Sequence, residues 1–166
     1  MSRPSRLALL ALLLASTPAA ARAADDGPPS GLAASFSLAG GGELGLDEGE
    51  DAGLGELELV AGWELAALGI RPEIGLALGI APEGHVAIRP GVRWGIAGLP
   101  FAVRVAADAS NVRGDGMRWR WLLVGIAAEL RFTSLLGIYA EVDTGAPLNR
   151  DAGLPLLLRA GASFRF

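Results

Sequence analysis

The chain has no cysteine and no lysine, and only one histidine and one tyrosine among its 166 residues. Without cysteine there is no disulfide staple, no thiol nucleophile and no lipid-bearing cysteine of a lipoprotein. The lone histidine, His85, excludes a His-rich metal site. It follows the turn Pro82-Glu83-Gly84 and is expected to be a solvated loop residue. All 14 basic residues are arginine, which reads as codon bias in a high-GC genome and not as a nucleic-acid signal. Setting aside Arg3, Arg6 and Arg22 leaves 11 basic against 18 acidic side chains, a charge of −7, so nucleic acid is not an expected partner.

Long apolar runs are missing too, with one exception. Arg3 and Arg6 precede the run Leu7–Ala15, and small residues then lead to Ala21-Arg22-Ala23. The run is far short of the ~20 residues of a membrane-spanning helix, and the sequence reads as a secretory signal peptide cleaved after Ala23. Residues 1–23 are therefore assigned to the signal peptide, 24–29 to a short periplasmic leader, and 30–166 to one folded domain. No later segment has the length of a membrane helix without Gly, Pro or charge, which excludes an α-helical membrane protein.

What is abundant is glycine, 24 residues, and apolar side chains, 51% of the chain, interrupted at every second position. A period of two marks strands with one apolar and one polar wall. Leu32, Ala34, Phe36 and Leu38 oppose Ala33, Ser35, Ser37 and Ala39; Leu57, Leu59, Ala61, Trp63 and Leu65 oppose Glu56, Glu58, Val60, Gly62 and Glu64. Six more segments follow the same rule, with apolar sets beginning at Ile74, Val86, Phe101, Leu122, Leu136 and Leu158. Pro90 removes a ladder donor from the fourth, which predicts a bulge there. In the sixth, Trp119 and Trp121 share the parity of Glu129 and Arg131; either they lie above the apolar belt or a bulge near Leu122 changes the phase.

The connections also carry direction. Those near Ala67–Arg71, Ala97–Leu99 and Thr133-Ser134 are brief. Longer ones are expected over Gly40–Gly53, Ser110–Gly116 and Thr144–Pro155, with the short Pro82–His85 as an exception. Trp63, Trp94, Phe101, Phe132, Phe164 and Phe166 sort to the strand ends that share the brief turns. An interfacial aromatic girdle sorts in this way.

The last strand, Leu156–Phe166, places Arg159, Gly161, Phe164 and Phe166 in the order polar–x–Gly–x–x–aromatic–x–aromatic. That order resembles the C-terminal assembly signal of bacterial outer-membrane β-barrels. With the signal peptide and eight alternating segments, the chain resembles the small eight-stranded outer-membrane barrels of the OmpA/OmpX type. The resemblance implies an all-β, eight-stranded antiparallel up-and-down barrel in the outer membrane of a Gram-negative bacterium. It also implies insertion by the outer-membrane assembly machinery, contact with lipid and lipopolysaccharide, and a monomer. It implies no particular activity, because the fold hosts adhesins, anchors and lipid-modifying enzymes.

In such a barrel the polar wall faces the lumen. It gathers Glu56, Glu58, Glu64, Glu73, Asp108, Glu129, Glu141 and Asp143 with Arg89, Arg93, Arg104, Arg131, Arg159 and Arg165. Buried charges persist when paired, and a guanidinium can engage two carboxylates, so a salt-bridge network filling the lumen is favoured over a pore. The expected role is structural or surface interaction without catalysis or cofactor. The alternatives are a soluble periplasmic lipocalin-like lipid-binding barrel, with the apolar wall inward, and a barrel lipid-modifying enzyme. The latter would pair His85 with Ser110, expected across the barrel. Val142-Asp143-Thr144-Gly145-Ala146 matches the aspartic-protease loop, but too little chain follows for a protease protomer. Gly40–Gly42 is no phosphate loop, since no lysine or helix follows. Glu43, Asp47, Glu48, Glu50 and Asp51 are expected in one Gly-rich solvated loop; a weak Ca²⁺ or Mg²⁺ bridge to lipopolysaccharide is the less favoured use of it.

Overall fold

A computed structural model describes residues 30–44, 52–81, 83–111 and 116–166. The signal peptide and leader fall outside the described residues, as do Asp47, Glu48, Glu50 and Asp51. Eight strands form among the described residues: β1 (Gly31–Leu44), β2 (Ala52–Glu64), β3 (Ile70–Ala81), β4 (His85–Gly95), β5 (Phe101–Ser110), β6 (Arg118–Arg131), β7 (Leu136–Pro147) and β8 (Leu154–Arg165). Each pairs antiparallel with the next, and β8 returns to β1, so the sheet closes into an up-and-down barrel.

Closure leaves no edge strand, and the period-two pattern then decides what faces each way. Leu32, Phe36, Leu38, Leu59, Ile74, Leu78, Ile126, Ile138 and Leu158 lie exposed on the outside. Ala33, Ser37, Val60, Ala77, Ala87, Ala106, Ala127 and the charged residues described below lie buried within. An eight-stranded barrel has room inside for side chains and little else, so small residues must alternate with the long ones. Gly79 shows the constraint: a Cβ there would fall 1.8 Å from the His85 ring.

Three connections share the rim where β1 starts and β8 ends, here the terminal rim. Between β2 and β3 a single 3-10 turn, Ala66–Leu68, ends at Gly69 with φ 62°, and between β4 and β5 Gly98 has φ 75°; both conformations favour glycine. Between β6 and β7 the Thr133 hydroxyl accepts from the amides of Leu135 and Leu136. Trp63, Trp94, Phe101, Phe132, Phe164 and Phe166 ring the outside of this rim, all exposed.

At the opposite, loop rim the strands run further than the glycine content suggests. β1 continues to Leu44 and β2 starts at Ala52, so Gly40–Gly42 and Glu43 are strand, not loop. Likewise β7 continues to Pro147 and β8 starts at Leu154, which shortens the expected Thr144–Pro155 loop to residues 148–153. Ser110 is the last residue of β5 and Arg71 belongs to β3. Glycine weakens a strand but does not end one when both neighbours supply ladder partners.

The expected bulge at Pro90 does not form. The β4–β5 register is the same on both sides of it, from Ile88↔Ala109 to Gly91↔Ala106, with the rungs at Arg89 and Pro90 left out. A missing N–H costs a rung and needs no extra residue. Bulges sit elsewhere, between Gly55 and Glu56 and between Asp108 and Ala109. In the second, Asp108 pairs with Trp121 and Ala109 with Trp119, so Arg120 is the extra residue. Arg120 and Trp121 are both buried while Trp119 is exposed, so the phase of β6 does change, just before Leu122.

Candidate functional site: the charged lumen

Among the described residues, seven carboxylates (Glu43, Glu56, Glu58, Glu73, Asp108, Glu141, Asp143) and seven arginines (Arg71, Arg89, Arg93, Arg104, Arg120, Arg159, Arg165) are buried inside the barrel. They form layers. Nearest the loop rim, Arg120 donates through Nη2 to both oxygens of Glu43, at 2.9 and 2.8 Å. In the next layer Arg89 grips Glu56 with two guanidinium nitrogens at 2.7 and 2.8 Å and donates Nε to Asp108 at 2.7 Å. The fork geometry of arginine suits this bidentate contact, which a lysine could not make.

The middle of the lumen is a shared cluster. Arg104 meets Glu58 at 3.0 Å, Glu73 at 2.8 Å and Glu141 at 3.3 Å, so one cation serves carboxylates from three strands. Arg159 pairs with Glu58 and Asp143. Arg93 bridges Glu73 and Glu141 at 3.3 and 2.6 Å and lies over the Tyr139 ring, 5.8 Å from its centroid. Arg71 joins Glu73 at 3.0 Å. Toward the terminal rim, Glu129 accepts from the Ser163 hydroxyl at 2.7 Å and from Arg165 at 3.0 Å. Glu64 stands 3.9 Å from Arg165. A void of about 10 Å³, room for about one water, lies there among Ser35, Arg71, Arg93, Tyr139 and Ser163.

Of the expected lumen set, Glu58, Glu73, Arg89, Arg93, Arg104, Asp108, Glu141 and Arg159 lie together in the enclosed part. Glu64 and Glu129 sit at the rim, and Arg131 departs from expectation: its side chain is 39% exposed, 3.7 Å from Glu129. It is the last residue of β6, where the wall ends and water begins. Within the C-terminal motif, Arg159 points into the lumen, while Phe164 and Phe166 are exposed on the outside. Gly161 is set by close approach, since a Cβ would fall 2.1 Å from the Phe36 carbonyl oxygen.

His85 is not the solvated loop residue expected. It is buried, with Nε2 3.0 Å from Glu56 Oε1 and Nδ1 3.0 Å from the Glu83 carbonyl oxygen. Ser110 is not across the barrel either; it pairs with Ala87, on the strand that carries His85. Both ring nitrogens of His85 are occupied, so neither is free to take a proton from Ser110. Glu43, Arg120 and Arg71 are lumen residues beyond the expected set, while Tyr139 shares the lumen-facing parity of Glu141 and Asp143. Glu43 continues the parity of Ala39 and Gly41, a signal masked by the glycines around it. Asp143 belongs to the central ion pairs, which accounts for it without protease chemistry. Among the described residues no three His, Cys, Asp or Glu side chains are grouped to hold a metal ion. Among them, too, no helix is long and apolar enough to cross a membrane.

Comparison of the whole fold with solved structures finds Neisserial surface protein A (NspA), with a TM-score of 0.57 and 12% sequence identity over 82% of this chain and 98% of that one. The two share the architecture of a closed barrel, which in this chain is eight-stranded, antiparallel and up-and-down. The N-terminal β-barrel domain of Pseudomonas aeruginosa OprF also aligns, at a TM-score of 0.47 and 15% identity over 83% of this chain and 100% of that domain. No family model matches the sequence, and no curated protein matches it. What this chain has in common with NspA is fold; its lumen must be understood from its own residues.

Proposed function

We propose that this chain is a monomeric outer-membrane β-barrel protein of a Gram-negative bacterium, exported through a cleaved signal peptide, whose lumen is plugged by its ion-pair network. Its role is structural or one of surface interaction, without catalysis. One observation carries the reading: the barrel is apolar outside and charged inside. Exposed apolar area on a monomeric soluble protein rarely exceeds a few hundred Å² in one patch, whereas here Leu, Ile, Val and Phe side chains cover the wall all the way round. In lipid that surface costs nothing, and the closed ladder leaves no backbone group unpaired at an edge. Contact with membrane lipid and lipopolysaccharide follows from the same belt, and insertion by the assembly machinery from the exposed Phe164 and Phe166. The likeness in fold to NspA, a Neisserial surface protein, supports this reading.

A lipocalin-like barrel needs the opposite sidedness, with its apolar wall lining a ligand cavity. Lipid-modifying chemistry needs a histidine nitrogen free for its nucleophile, and His85 has none. The test is extraction and heat-modifiable gel migration. The barrel is expected in the outer-membrane fraction, to need detergent, and to migrate faster unheated than boiled. A protein that stays soluble without detergent refutes the proposal.

A further inference from the structure

We propose that the β7–β8 connection, residues 148–153, is a lid folded into the loop-rim mouth and latched there by the Arg120–Glu43 pair, closing the lumen with an apolar septum above the Arg89–Glu56 layer. The inference deepens the plugged-lumen reading and rests on it. Leu54 of β2, Trp121 and Leu123 of β6, Ala152 of the connection and Leu157 of β8 form one buried cluster, with Trp121 and Leu157 at 0% exposure. Leu54 lies two residues toward the loop rim from Glu56, and Leu157 two residues from Arg159, so the cluster sits one lumen layer above those two charges and below the Arg120–Glu43 pair.

Three polar contacts hold the lid down. Trp121 Nε1 donates to the Gly153 carbonyl oxygen at 2.9 Å, the Gly153 amide donates to Glu43 Oε1, and Arg120 holds Glu43 from the other side. The Arg120 guanidinium also lies 4.9 Å from the Trp121 ring centroid. The β6 bulge makes this possible, because it turns two consecutive residues, Arg120 and Trp121, inward. Position 153 admits only glycine, since a Cβ would fall 2.3 Å from the Leu44 carbonyl oxygen. The near end is pinned as well: Leu148 donates its amide to the Arg120 carbonyl at 2.8 Å, and Asn149 Nδ2 donates to that of Trp119 at 3.1 Å. A septum of Leu, Trp and Ala offers water no partner, so it keeps solvent from the Arg89–Glu56 layer and leaves those charges in a medium where pairing is strong.

The four tryptophans are at 63, 94, 119 and 121, so changing the other three to phenylalanine leaves Trp121 as the sole reporter in the full barrel. Acrylamide quenching of the refolded protein is then compared with a variant retaining only Trp119, which is exposed beside the same lid. Trp121 is expected to be quenched several-fold less than Trp119. Glu43→Ala should raise its quenching to near the Trp119 level while heat-modifiable migration persists, and Gly153→Val provides the same release by a different route. Quenching of Trp121 as strong as that of Trp119 in the unmutated latch would overturn the lid. So would a Trp121 that stays shielded in both latch variants. A protein soluble without detergent would sink the outer-membrane reading instead, whatever Trp121 reports.

Discussion

Arg159 of β8 reaches past β1 to pair with Glu58 of β2, two strands away in the closed sheet. It can do so because β1 presents Ser37 and Ala39 to the lumen at that level and nothing longer. The β1–β8 seam, the pairing that closes the barrel, is therefore spanned by a charge contact as well as by its ladder. Arg159 also serves Asp143 on the other flank, so a single side chain ties β2, β7 and β8 together.

Arg159→Ala should lower the unfolding midpoint in urea by the equivalent of about 3–5 kcal/mol, because it removes the guanidinium that buried Asp143 pairs with and leaves Glu58 to Arg104 and Arg89. Arg118→Ala is the control. Its contact with Asp151 is 3.9 Å long between side chains 58% and 73% exposed, and its loss should fall within about 0.5 kcal/mol of zero. Equal effects of the two substitutions would mean that lumen charges are solvated like surface ones.

The class of fold was legible because period two was unbroken along most of the chain: from Leu32 to Leu38, from Leu57 to Leu65 and from Ile74 to Ile80, parity alone assigns every side chain to its face. What parity misses is where a strand stops. Gly40–Gly42 looked like a loop, yet each has ladder partners on β2 and β8, and Glu43 beyond them is a lumen residue. His85 departs from its expected place for a related reason. Adjacency to a turn is visible in sequence, whereas the acceptor that draws the ring inward, Glu56, lies 29 residues away. The ion-pair partners were not readable either, since they depend on the stagger of the closed sheet.

Gly79 offers a test of lumen crowding. A valine there must displace the His85 imidazole, whose atoms would lie 1.8–2.2 Å from the new Cβ, and with it the contact to Glu56. A loss of about 1–3 kcal/mol is expected from overpacking. Gly53→Ala, where a Cβ meets nothing within 4 Å, should leave the midpoint unchanged. Comparable losses at both positions would show that the lumen is looser than the packing around His85 implies.

Ion conductance separates plug from pore. Arg89 with Glu56 and Asp108 fills one level of the lumen and Arg104 and Arg159 with their shared carboxylates fill the next, and each of these arginines is almost wholly buried. Planar-bilayer recordings of the purified barrel should therefore show no stable steps. Reproducible single-channel steps from the unmutated protein would mean that the charged wall lines a water path.

Phe166 makes two separable contributions. Its amide donates to the Leu32 carbonyl at 2.8 Å, adding one hydrogen bond where β8 meets β1, and its ring, 69% exposed, stands in the aromatic belt at the terminal rim. One hydrogen bond is worth only about 0.5–1.5 kcal/mol, too little to decide whether the barrel holds. If the ring is instead read during insertion, deleting Phe166 should sharply reduce the heat-modifiable, membrane-inserted form in cells. Export across the inner membrane should continue, and the truncated protein refolded in detergent should remain close to wild type in stability. Phe166→Ala keeps the backbone donor and should reproduce the cellular defect. Wild-type insertion by both variants would show that the C-terminal aromatic acts as belt alone, and an equal loss in detergent would place its effect in the folded barrel, not in assembly.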